Sequence, residues 1–226
     1  MYALMSSGGK DSTLALDRAR RQGLSVRRLV NIHDGRAGRV AFHGIRKELL
    51  AAQAVALDLE YQAVATGPDG FEPAFLKLLS TLQAEGFTGL VFGNIHLADV
   101  RAWYEERVRA AGLDHQEPLW GVAPPVLLRE VQTRGFRATI VSVDTAQAPP
   151  DLLGREIDSD VERRLQACPA IDWCGERGEF HSYVWDGPIF SHPVPVQPGP
   201  IREERGHRLL DLTLASAPGE EPSSPR

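Results

Sequence analysis

The sequence predicts an α/β protein: a parallel sheet covered by helices on both faces, followed by a smaller α+β lobe towards the C-terminus. Three observations carry this. Short runs rich in Val, Leu and Ile alternate with segments of helical periodicity over residues 2–111. A glycine-rich turn, "SSGGKDS", follows the first of those runs, where a parallel sheet binds its ligands. The alternation then breaks down after the proline pair Pro124–Pro125.

Taken in order, residues 2–5 read as a short buried strand and 11–22 as a helix. Residues 25–32, "SVRRLVNI", read as a second strand. Residues 45–57 carry Ile45, Leu49, Leu50, Ala54 and Leu57 at helical spacing. Residues 60–65 are strand-like, and 71–85 place Phe71, Phe75, Leu78, Leu79 and Leu82 on one helix face. Residues 88–92 form a fourth strand, and 99–111 a helix with Val100, Trp103, Val108 and Ala111 inward. Beyond the prolines come a helix, a strand in "FRATIVSVDT", a short helix in "DSDVERRLQAC", a Gly- and aromatic-rich stretch over 172–190, and a last strand over 207–215. The end of the chain from Ser216 is rich in Pro, Ser and Glu and is expected to be a disordered tail.

Composition narrows the function classes. At 226 residues the chain can bury a sizeable core. No apolar run approaches the roughly 20 residues needed to cross a bilayer, so no membrane partner is expected. The start lacks the basic and apolar regions of a signal peptide. Two cysteines, Cys168 and Cys174, make no disulfide framework, which fits a reduced, cytoplasmic protein. A net charge of −5 argues against a nucleic-acid partner. The one basic cluster, Arg18, Arg20, Arg21, Arg27 and Arg28, reads as a solvated helix face and a strand start.

The turn from strand to helix is the first candidate site. A helix start offers unpaired N–H groups and the positive end of the dipole, which together attract anions. Glycines let the backbone approach phosphate oxygens, while serine hydroxyls and a lysine add donors and charge. The spacing is not that of the Walker loop, because Asp11 rather than a hydroxyl follows Lys10. Asp11 or Ser12 would serve as N-cap.

Ser7-Gly8-Gly9-Lys10-Asp11-Ser12 resembles the SGGxDS motif of the N-type ATP pyrophosphatases, the PP-loop enzymes. The resemblance implies a Rossmann-like sheet and a loop that grips the two outer phosphates of ATP, leaving the α-phosphate open to attack. It implies Ser7, Gly8, Gly9 and Ser12 as phosphate contacts, Lys10 as a charge on the leaving phosphates, and Asp11 as a Mg²⁺ ligand. Ile32, His33, Gly93 and Asn94, at the ends of the second and fourth strands, would line the nucleotide cleft together with His96.

A second segment, "DWCGERGEFHSYVWDGPIF" over 172–190, is similar to the CGE-x-GEFHT…DGP-x-F stretch of the diphthine–ammonia ligase family. "FHGIRKELLAAQAVAL" at 42–57, "FGNIHLADVRAWYEERV" and "EPLWG" at 117–121 also resemble it, so the likeness runs over residues 2–190. Trp173 and Arg177 depart from the family pattern, where proline and asparagine are expected. The resemblance implies an ATP-binding domain over 1–124, an acceptor-binding lobe over 125–215, and a reaction among ATP, ammonia and a carboxylate acceptor. The state of assembly stays open, a homodimer included.

The chemistry follows. A carboxylate is no electrophile until it is adenylated, and ammonia is mostly ammonium at neutral pH. A buried carboxylate can bind ammonium and take its proton. Glu176 and Glu179 are the candidate bases, with His181 as a candidate partner in proton transfer. Cys174 could instead carry sulfur, but no CxxC pair accompanies it for that or for zinc. His43 reads equally as a substrate contact or a helix-start residue, and Trp120 as pocket lining or core. Two rivals share the loop: a tRNA-modifying adenylating enzyme, and an ATP-binding sensor without turnover.

Overall fold

The structure is a computed structural model that describes residues 1–40 and 43–215. The expected disordered tail lies outside the described residues, as does Phe42 of the segment at 42–57.

The first half builds β1 (Tyr2–Met5), α1 (Lys10–Arg21), β2 (Val26–Asp34), α2 (Lys47–Ala56), β3 (Glu60–Thr66), α3 (Phe71–Ala84), β4 (Gly89–Val91), α4 (Ala98–Ala110) and β5 (Asp114–Gln116). The five strands pair in parallel in the order β3-β2-β1-β4-β5. The chain winds outward one way from β1, then returns and winds the other way from β4. That reversal opens a crevice beyond the carboxyl ends of β1 and β4.

The second half contains α5 (Pro124–Thr133), β6 (Arg137–Asp144), α6 (Ser159–Gln166), β7 (Phe180–Asp186), β8 (Val196–Glu204) and β9 (His207–Leu214). Its antiparallel sheet has the order β7-β6-β9-β8. Three strands go beyond the sequence reading, among them β7, which forms inside the Gly- and aromatic-rich stretch. β5 is only three residues, "DHQ", with no apolar pattern to reveal it. β8 contains Pro198 and Pro200, which argue against a strand, but it is an edge strand that needs no outward N–H donors.

Sequence explains the packing. α1 turns Leu14, Ala15, Leu16 and Ala19 into the core, and the chain leaves the helix through Gly23 at φ +86°. The basic cluster lies at the surface, as read, with Arg21 and Arg27 exposed, and several of its members make ion pairs there. Arg18 and Arg21 pair with Glu130 of α5, and Arg28 with Glu60 and Glu85. The two sheets are joined by buried polar contacts. Gln53 Nε2 donates to the carbonyls of Gly8 (3.1 Å) and Val184 (2.6 Å), and the Tyr183 hydroxyl donates to the Leu49 carbonyl at 2.8 Å. Asp211 of β9 receives Arg39 and Arg46 in two bidentate pairs. Those guanidiniums hold its carboxyl well below the ordinary carboxylate range.

Candidate active site

The turn after β1 is held by its own hydroxyls. Ser6 Oγ accepts the Gly8 N–H at 3.0 Å and lies 2.9 Å from Ser12 Oγ. Gly8 sits at φ +84°, where a side chain is strained, and an added Cβ would stand 2.9 Å from Leu50 Cδ2. Its carbonyl accepts the Val184 N–H at 2.9 Å, so Gly8 faces β7 and not the cleft. Gly9 is the N-cap of α1, in place of the Asp11 or Ser12 expected, and has no side chain to cap with. Ser182 Oγ accepts the Lys10 N–H at 3.2 Å from across the lobes. The loop is therefore shaped by the C-terminal lobe as much as by its own sequence.

A cleft of about 560 Å³ opens over this turn. Of the expected contacts it is lined by Ser7, Gly9, Lys10, Asp11, Ser12, Ile32, His33, Gly93 and Asn94, and also by Glu176 and His181. At Gly93 the backbones approach closely: a Cβ there would lie 2.7 Å from the Ser12 backbone nitrogen. Lys10 is 2% exposed; its ammonium donates to Asp11 Oδ2 at 2.9 Å and to the Cys174 carbonyl. Burial works against that charge, but Asp11, Cys174 and Glu176 together more than offset it, and the Lys10 pKa lies above its ordinary value.

Two carboxyls in the cleft, Asp11 and Glu176, have pKa values raised by burial. For Glu176 the site itself shows the causes. Burial first, then the negative charge of Asp11, pushes its pKa up to about 7, against the pull of an Ile95 N–H at 3.2 Å. Glu179 is not brought to the cleft. It is 2% exposed, and its carboxylate accepts the N–H groups of Asp172 (2.9 Å) and Arg177 (3.0 Å), capping the loop that presents Glu176. Arg177 contributes only its backbone to this cap. His96 also falls outside the lining and binds Asp172 Oδ2 at 2.5 Å.

His181 stacks on His43, ring centroids 3.9 Å apart. Burial, then His43, lowers the His181 pKa well below its ordinary value, so the ring is neutral. Burial raises the Cys174 pKa, and its thiol donates to the Pro124 carbonyl at 3.4 Å; a neutral, buried thiol is a poor sulfur carrier. Trp120 lies under Arg101, whose guanidinium is 4.5 Å from the ring, and does not line the cleft.

The cleft also takes in residues that the sequence did not single out, Ser6, Asn31, Phe92 and Tyr104 among them. Asn31 lines the cleft with its Oδ1 buried and without a hydrogen-bond partner, and the same holds for His33 Nδ1. Two orphaned polar atoms beside an anion-friendly turn suit a ligand with an anionic end and a hydrogen-bonding body, as ATP is. No group of three or more His, Cys, Asp or Glu able to hold a metal occurs among the described residues.

Comparison with known proteins fits this geometry. Residues 1–115 match the family model of the diphthamide synthase N-terminal domain, and residues 123–210 that of its C-terminal domain. A protein of Bos taurus named diphthine–ammonia ligase is 26% identical over 221 residues, covering 86% of this chain and 82% of the bovine protein.

Proposed function

This chain belongs to the diphthamide synthase family, and from that premise we propose that it is an ATP-dependent, AMP-forming ligase joining ammonia to a carboxylate. The observation that carries the reading is Glu176, a carboxyl with pKa about 7 in the same cleft as the Ser7–Ser12 turn. A base near the operating pH both holds a proton readily and releases it readily.

In this reading the turn binds the β- and γ-phosphates through Ser7, Gly9, Ser12 and the charge of Lys10, while Ile32, His33, Asn31 and Gly93 border the nucleoside. Asp11 would hold Mg²⁺, which supplies charge neutralisation on the phosphates. A carboxylate oxygen of the acceptor attacks the α-phosphorus, the bond to the β-phosphate oxygen breaks, and pyrophosphate leaves. Glu176 takes a proton from ammonium; the freed ammonia attacks the acyl carbon, AMP departs with its new oxygen, and the attacking nitrogen gives up its extra proton to water as the amide forms. Glu179 positions Glu176 by capping its loop. The neutral His181, with His43 stacked on it, lines the acceptor side. The name of the bovine relative makes diphthine the first acceptor to test.

The test is product identity. With ATP, Mg²⁺, ammonium and either a diphthine-bearing protein or a panel of small carboxylates, AMP and pyrophosphate are expected, together with carboxamide read by mass. ADP with inorganic phosphate would contradict the reading. ATP binding without turnover on any acceptor would support a sensor instead.

A further inference from the structure

We propose that Asn94 and Glu176 wall an ammonium subsite, and that Glu117, outside the cleft, is the positioning residue that fixes the Asn94 amide for it. This rests on the ligase reading and names where its nitrogen substrate sits.

Asn94 lines the cleft at the exit of β4. Its Nδ2 donates to Glu117 Oε1 at 2.7 Å. A carboxylate can only accept, so the bond sets the orientation of the amide. The remaining polar atom, Oδ1, is an acceptor to which no group among the described residues donates. The next residue, Ile95, gives its N–H to Glu176 Oε2, so the β4 exit brings the two side chains to one stretch of wall. Two acceptors, one of them a carboxylate, suit a small cation with several N–H donors. A nucleotide phosphate would be repelled there.

Glu117 is buried, its side chain 2% exposed. Arg101 Nε lies at ion-pair distance, 3.2 Å, and the His115 ring, kept neutral by burial, packs 3.3 Å away; neither is in hydrogen-bond geometry with it. The His115 ring packs 4.8 Å from Phe92, and the Arg101 guanidinium covers Trp120. His115 and Glu117 come from the short edge strand β5 and the residue just after it. The strand therefore braces the β4 exit from behind.

The experiment uses the full chain. Glu117→Gln keeps the shape but lets the side chain donate as well as accept, which frees the Asn94 amide to flip. The expected result is a rise of about tenfold in the KM for ammonium, the loss of one hydrogen bond to a charged group. The KM for ATP and the melting temperature should stay within twofold and a degree or so of wild type. The double variant Asn94→Asp/Glu117→Gln restores a fixed acceptor facing the cleft and should recover the ammonium KM. Thallium(I), an ammonium-sized cation, soaked into crystals should give an anomalous peak between Asn94 Oδ1 and Glu176 in the wild type and not in Glu117→Gln. That peak does not depend on turnover, so a wild-type peak without AMP formation would sink the ligase reading while sustaining the subsite. An unchanged ammonium KM, a parallel rise in the KM for ATP, or the absence of the wild-type peak would overturn the subsite.

Discussion

Glu176→Gln is expected to lower amide formation by about 10²- to 10⁴-fold, the usual contribution of a positioned base. Exchange of labelled pyrophosphate into ATP should survive, since adenylation precedes the proton transfer. In the wild type the ammonium-dependent rate should fall as pH drops through about 7, where Glu176 becomes protonated. The glutamine variant should lose that limb. Stability should move the other way. A carboxyl whose pKa is raised on folding binds its proton more tightly in the folded state. Ionising it therefore costs stability progressively as pH rises from 4.5 to about 7, and fully above that. Removing the charge should stabilise the protein by on the order of 2 kcal/mol at pH 8 and by nothing at pH 4. Thermal melts of both proteins at the two pH values check this. A variant destabilised equally at both would mean that the Ile95 N–H bond, not the burdened charge, dominates at this position.

Lys10→Met is expected to be the most destabilising single change in the turn. The lysine is 2% exposed, pairs with Asp11 at 2.9 Å, and satisfies the Cys174 carbonyl. Its ammonium also lies 5.1 Å from the Phe180 ring centroid. Removing one partner of a buried pair leaves the other charge uncompensated, at a cost of about 3 kcal/mol. Asp11→Asn on this background removes the stranded carboxylate and should restore at least about 1 kcal/mol, a coupling typical of residues in contact. Urea titrations at constant slope measure both. ATP affinity should fall in the single and stay low in the double variant, because the charge on the phosphates is absent in both. Recovery of ATP binding with recovery of stability would make Lys10 a structural strut alone.

The alternation of β- and α-segments was legible because each carries its own period, and the strand ends then located the cleft. The edges of the sheets were not legible. β5 is too short for a period, and the prolines of β8 mean "no strand" anywhere except at an edge. The glycine-rich turn was legible as a motif, but its shape was not: Gly8 is turned away from the cleft and buried against Leu50, Tyr183 and Val184, all far from it along the chain. Glu176 and Glu179 look alike as letters three apart. Only the fold decides that one faces the cleft and the other is occupied by two backbone N–H groups. Gln53, Ser182 and Glu117 lie inside the family-like segments, but nothing in the letters singles them out, since each acts on a loop far from it in sequence.

The acyl-adenylate is tested most directly by tracing oxygen. An acceptor labelled with ¹⁸O in its carboxylate is turned over with ATP, Mg²⁺ and ammonium, and the products are analysed by mass. One labelled oxygen is expected in AMP, none in pyrophosphate, and the other retained in the amide. Label in inorganic phosphate, or AMP that carries none, would mean that the carboxylate never bonded to the α-phosphorus.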